Sequence, residues 1–222
     1  MTAATRIPSN RDATQHGNVV VLPVSDQGEH ALLSELLGYS GATASVVALL
    51  NHFPSIGHVL SAEAVQLQSF GLNNRDVGLL RLVREAACHM ARAEMRERPV
   101  LSNWHSLIAY LQIAMAGEQI EQFRVLYLDR KNNLIADEVQ QRGTVDHTPV
   151  YPREVVKRAL ILNASALIVA HNHPSGDPKP SREDIDMTRQ LKAAASALEI
   201  ALHDHVVIGH GKHASFRTLG IL

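Results

Sequence analysis

The chain has 222 residues, a formal net charge of −1 and 45% hydrophobic residues. That length holds one large domain or two small ones, and the apolar content suffices for a packed core. The near-neutral charge excludes a global field that would draw nucleic acid, and the single Cys88 excludes an internal disulfide and cysteine-rich zinc sites.

Residues 1–27 are read as a flexible N-terminal tail. Residues 1–18 are polar without an apolar leader, and Val19-Val20-Val21-Leu22 is short and stopped by Pro23. No run approaches the roughly 20 apolar residues of a membrane span, so a soluble cytoplasmic protein is expected. Leu32, Leu33, Leu36 and Leu37 recur on one helical face within 28–40, and Gly41 closes that helix. Thr43 can cap a second helix through Val46, Val47, Leu49 and Leu50, and a shorter one near Ser61–Ser69 ends at Gly71. Asn74 to Met95 predict a long amphipathic helix striped by Leu79, Leu80, Leu82 and Val83. Its Arg and Glu residues are read as a solvated face, and Cys88 as a core residue. Residues 28–96 thus predict a small all-helical domain.

A linker is expected over 96–103, followed by a helix over 104–116 and a strand from Phe123 to Leu128. Asp129 to Asn133 predict a turn, and the chain returns from Leu134 as the second strand of a hairpin. Pro152 opens a helix over 152–162, because a first helical turn tolerates proline. A strand over 166–171, a helix over 181–198, a strand over 203–208 and a last short strand near 214–217 follow. Alternating strands and helices predict an α/β (α+β) domain over 102–222.

The chemistry concentrates after the apolar run Ala166-Leu167-Ile168-Val169-Ala170, which reads as a buried strand. Residues two apart in a strand point the same way, so His171 and His173 aim at one spot. Pro174, Pro178 and Pro180 stiffen the loop that follows, and Ser181 and Asp184 open a helix. Two imidazoles and a carboxylate, His171, His173 and Asp184, are the three protein ligands a catalytic zinc needs, with a fourth position left for water. Ser181 with an acidic residue three later is also a good helix cap, and the two readings are compatible. The cap alone gives no reason for two histidines at a strand end.

His-x-His, seven residues, Ser, two residues, Asp resembles the JAMM (MPN+) metalloprotease signature. The longer string His171-Asn172-His173-Pro174-Ser175-Gly176, then Pro180-Ser181 and Asp184, resembles the RadC family in particular. The resemblance covers 102–222 well and 28–96 more weakly. It implies a JAMM/MPN-like zinc hydrolase domain behind a small helical one, cleaving an amide or isopeptide bond in a protein or peptide. It also implies a glutamate on an upstream strand as general base. The candidates are Glu118, Glu121, Glu138 and Glu154, with Glu121 favoured because it lies at the entry of the strand Glu121-Gln122-Phe123-Arg124-Val125-Leu126, directly after the helix, where the family's glutamate sits. Ser181 carries over as donor to the oxyanion, with the cap as its competing role. His205, in Asp204-His205-Val206-Val207-Ile208-Gly209, matches the family's late strand and is expected to be a hydrogen-bonded structural histidine. His147 is expected in a solvated loop, and His210-Gly211-Lys212-His213 in a turn.

A second reading comes from the helical segment, which is similar to a helix-hairpin-helix that holds phosphates on backbone amides. It would make the chain a DNA-repair-associated accessory protein with a structural or vestigial metal site. Of the two glycines such a loop carries, only Gly71 remains; Asn73 stands in the other place and Asp76 adds negative charge. Weak, salt-dependent nucleic-acid binding is the expectation, with Arg81, Arg84 and Arg92 its source. A packing or interaction module is the favoured role for the helices, and an inert scaffold is a third reading for the whole.

Overall fold

The structure, a computed structural model, describes residues 26–38, 44–96, 98–142 and 150–222. The tail over residues 1–25, Gly41, Thr43 and His147 lie outside them. Four short or medium helices come first: α1 (Asp26–Leu36), α2 (Ala44–His52), α3 (Ile56–Ser61) and α4 (Ala64–Ser69). The helix expected near 61–69 is α4, which starts later because Ala62 and Glu63 are extended (ψ 150° and 146°), and the sequence reading does not include α3 before it. The long helix α5 (Asn74–Arg96) follows, then a 3-10 turn (Val100–Asn103) and α6 (Trp104–Met115). The remainder runs β1 (Gln122–Leu128), β2 (Leu134–Arg142), α7 (Pro152–Ile161), β3 (Ala166–Asn172), α8 (Arg182–Ser196), β4 (Ala201–Ile208) and β5 (His213–Ser215).

The five strands form one sheet in the order β2-β1-β3-β4-β5. Only the β3–β4 pair is parallel, joined by the crossover helix α8; the other pairs are antiparallel. Every residue of β3 is buried, which explains why its sequence is a continuous apolar run rather than an alternation. Alternation still decides which face each side chain meets. Ala166, Ile168 and Ala170 pack towards α6, while Leu167 and Val169 pack against α7 and α8. The β1–β2 turn is shaped by Asp129, whose carboxylate accepts the backbone N–H groups of Lys131 and Asn133, with Asn132 left-handed at φ 63°.

A third core, built on Leu33, Val46, Leu49, Val59, Leu67 and Leu80, holds the first four helices against α5. The opposite end of α5 reaches the sheet core through Met95. Its polar face is not simply solvated, as the sequence suggested. Arg84 donates to the carbonyl of Ala114 and pairs with Glu118, while Arg92 pairs with the fully buried Asp137 carboxylate at 3.0 Å. Periodicity marks a polar stripe but cannot say whether solvent or a carboxylate faces it. At the start of α5, Asn73 Oδ1 accepts the N–H groups of Arg75 and Asp76, and the Asp76 carboxylate accepts that of Asn73. Among the described residues, no helix is long and apolar enough to cross a membrane.

Candidate metal centre

By parity His171 follows Leu167 and Val169 and turns to the α8 side of the sheet, and His173 continues that direction just past the strand. Their Nε2 atoms lie 3.0 Å apart. The loop then folds back: Gly176 donates its N–H to the His173 carbonyl and takes φ +82°, a conformation that suits glycine. The neighbouring Gly209 has no room for a side chain, since a Cβ there would stand 2.2 Å from the Gly176 carbonyl oxygen. The loop delivers Ser181 to the N-cap of α8, where Ser181 Oγ accepts the Asp184 N–H and donates to Asp184 Oδ2 at 2.6 Å. The Ser181 N–H donates to the same carboxylate oxygen at 2.8 Å. Asp184 therefore completes the cap and still faces the histidines, with Oδ1 3.2 Å from His171 Nε2 and Oδ2 3.5 Å from His173 Nε2.

Burial by itself would raise the Asp184 carboxyl. Hydrogen bonds that the His171 and His173 rings give when protonated, together with that from Ser181, overcome it and hold the group well below the usual carboxylate range. The Asp184 hydrogen bond in turn raises His173, against the opposing effect of burial, and the charge of Glu121 adds to the rise. His173 Nδ1 faces the Asp177 carbonyl at 2.8 Å; a carbonyl only accepts, so the neutral ring keeps its proton there and has its lone pair on Nε2 for a cation.

One ligand atom from each of His171, His173 and Asp184 lies within 4.8 Å of the others, the one such group of three among the described residues. An ion bonded at about 2.0–2.1 Å with tetrahedral angles holds its ligand atoms roughly 3.3 Å apart. The two Nε2 atoms are 3.0 Å apart, and each faces a different oxygen of the Asp184 carboxylate, at 3.2 and 3.5 Å; separations of that order, with two imidazoles and a carboxylate as donors, fit a metal ion.

Glu121 lies just before β1. Continuing the antiparallel register from the Phe123–His171 pair by two residues sets Glu121 across from His173. Asn172 clamps this stretch, donating to the carbonyls of Glu118 and Ile120 and accepting the Gln122 N–H at 2.9 Å. The other three glutamates have different occupations. Glu118 pairs with Arg84, Glu138 is held by Arg158 at 3.0 Å, and Glu154 is half-exposed in the first turn of α7 beside Arg153.

Behind the ligands stand two residues of which the sequence revealed only one. His205 of β4 is fully buried, stacked on Phe216 with ring centroids 4.4 Å apart and edge-on to Phe123. Its Nε2 is 2.7 Å from His171 Nδ1. Burial holds it well below the ordinary histidine range, helped by His171 and His173 and opposed by Asp184. Thr188 of α8, 2% exposed, sits 2.6 Å from His205 Nδ1. Thr188 follows Asp184 by four residues, so helical periodicity alone would have put both on one face. His210 lies in the β4–β5 turn, 2.8 Å from His58 Nε2 of α3, and beside a cleft of about 570 Å³ lined also by Leu60, Arg84 and Ile113.

A mixed sheet between helices, with a His-His-Asp cluster at the end of its central strand, defines a JAB/MPN-type domain. The RadC-like JAB domain model matches residues 101–221. A UPF0758 protein of Rhodobacter capsulatus is 58% identical over 175 residues, covering 78% of this chain and 82% of its own length. A UPF0758 protein of Ruegeria pomeroyi is 53% identical over 175 residues, covering 78% of each chain. The chain belongs to the RadC family.

Proposed function

We propose that this protein is a zinc-dependent metallohydrolase that cleaves an amide or isopeptide bond in a protein or peptide, acting in the cytoplasm. The observation that carries the reading is the convergence of His171, His173 and Asp184, one ligand atom from each lying within 4.8 Å of the others. Zinc held there would supply Lewis acidity, acidifying water and polarising a carbonyl. The chain's own residues supply the rest. Glu121 takes the proton of the attacking water and returns it to the leaving amine. Ser181 shifts its one hydroxyl proton from Asp184 Oδ2 to the oxyanion of the tetrahedral intermediate. The ion pairs of Glu118 and Glu138 and the exposure of Glu154 favour Glu121 as the base.

Two observations weigh against a nucleic-acid-binding role. Arg84 and Arg92 are engaged with Glu118 and Asp137. The amides of Asn73, Arg75 and Asp76 are bonded to side chains rather than open to phosphate. The test is metal analysis of the purified protein beside Asp184→Ala and His173→Ala. About one zinc per chain is expected for the parent and little for either variant, with occupancy falling at acidic pH because the ligands must be deprotonated. A parent that holds no metal and takes up none on titration removes the hydrolase reading.

A further inference from the structure

The hydrogen bonds behind the ligand cluster have a direction that their atoms dictate. The chain starts at the Asp184 carbonyl, which can only accept. Thr188 Oγ is 2.6 Å from it and has one proton, which goes there. Thr188 Oγ must then accept from His205, so His205 carries a proton on Nδ1. The ring of His205 is sealed from solvent between Phe123 and Phe216, with no carboxylate bonded to either nitrogen, so a neutral imidazole is favoured there. Its Nε2 is then an acceptor, and the atom 2.7 Å away, His171 Nδ1, must donate to it. A histidine protonated on Nδ1 has its lone pair on Nε2. That is the atom 3.2 Å from Asp184 Oδ1 and 3.0 Å from His173 Nε2.

We propose that Thr188 and His205 are positioning residues that lock His171 in the Nδ1–H tautomer, so that its Nε2 lone pair is presented to the metal. His173 obtains the same tautomer more simply, from the Asp177 carbonyl. The two ligands are thus set by different devices, one by a backbone oxygen of their own loop, the other by a relay through three elements. The relay begins on the backbone of one ligand, Asp184, and ends on the ring of another, His171. It ties the start of α8 to the end of β3 through β4. Without the Thr188 hydroxyl, His205 has no acceptor at Nδ1 and can move its proton to Nε2. His171 Nδ1 would then become an acceptor, and its own proton would sit on Nε2, where it must be displaced before a cation binds. Partners of this kind behind a metal ligand typically change affinity by about 10–100-fold.

The inference rests on the metal-site reading for its purpose, but its first test does not. Long-range proton–nitrogen correlation spectra of the metal-free protein, at about pH 8 where free imidazoles are neutral, report the tautomer of each ring. His171 is assigned by its loss in His171→Gln. The Nδ1–H pattern is expected for His171; an Nε2–H pattern overturns the inference, even in a protein that binds zinc. Thr188→Val removes the hydroxyl with little change of volume, and Thr188→Ser restores it. Thr188→Val should give a mixture of tautomers at His171 and weaken zinc at least about 10-fold in competition with a chromophoric chelator. Thr188→Ser should return both readouts towards the parent. A Thr188→Val protein with the parent's tautomer and affinity overturns the relay. A parent with the Nδ1–H pattern that takes up no zinc leaves the relay standing and removes the hydrolase reading instead.

Discussion

The side chain of Asp184 does two things at once, and Glu121 is expected to do only one. Asp184 closes the cap of α8 through Ser181 and faces both histidines. Glu121 acts on His173 through its charge, which raises the imidazole's pKa, and is expected to take the proton rather than to hold the ion. Glu121→Gln should therefore retain zinc at the parental level and lose turnover by about 100-fold or more on any substrate found, because an amide cannot accept the proton. A fully active Glu121→Gln protein would assign the base to another residue. His171, His173, Ser181 and Asp184 were legible in the sequence because they occupy one continuous stretch whose strand, loop and helix start are locally encoded. His205 was legible only as a hydrogen-bonded structural histidine, and Thr188 not at all, since what joins them is a contact across 17 residues between different elements. The sequence offers a threonine and a histidine; only the packing of α8 on β4 makes them neighbours of a ligand.

At the scale of elements, β3 and α8 are delivered by patterns that are hard to misread: a continuous apolar strand, a proline-rich loop, a serine cap. The hairpin of β1 and β2 and the proline-led α7 also follow from local chemistry. What locality could not supply is how closely β4 approaches the loop after β3. The Cβ that any other residue would add at position 209 stands 2.2 Å from the backbone oxygen of Gly176. Backbone yields less easily than a side-chain tip, so Gly209→Ala should push the loop away from β4. A loss of roughly 1–3 kcal/mol in chemical denaturation is expected, together with weaker zinc binding as His173 loses its register. A variant as stable as the parent would mean that the loop has slack. The polar face of α5 teaches a related lesson. The same stripe of arginines could meet water or carboxylates, and it meets Glu118 and Asp137 because α6 and the hairpin pack there.

For the molecule as a whole, histidines at contacts between its parts make stability depend on pH. His58 donates to or accepts from Ser55 and His210, and burial, with His210 second, pushes its pKa down. His203 is pushed down by burial and then by Arg217. A group whose folded pKa lies below its unfolded value leaves the unfolded chain with more protons in the interval between them. The contribution of each is whole above about pH 6.5, the ordinary imidazole value, and is lost as the pH falls below it. His173 is shifted the other way and contributes with the opposite sign, favouring the folded state at low pH and losing that effect as the pH rises. Denaturant midpoints of the metal-free protein should therefore drop between pH 7.5 and 5.5, and His58→Gln should flatten the drop. A His58→Gln protein with the parent's full drop would assign the acid sensitivity elsewhere.

The helix α5 buries Leu80 among the first four helices and Met95 beneath the sheet. At about 1.5 Å per residue, its 23 residues make a rod of roughly 34 Å with each end clamped in a different core. A rod held this way has no natural hinge, because a bend would break its own ladder of hydrogen bonds. Heat that loosens one core frays the helix that the other core depends on. The two halves of the chain are thus thermodynamic partners, and the half that carries His171, His173 and Asp184 draws its rigidity in part from helices that hold none of these residues.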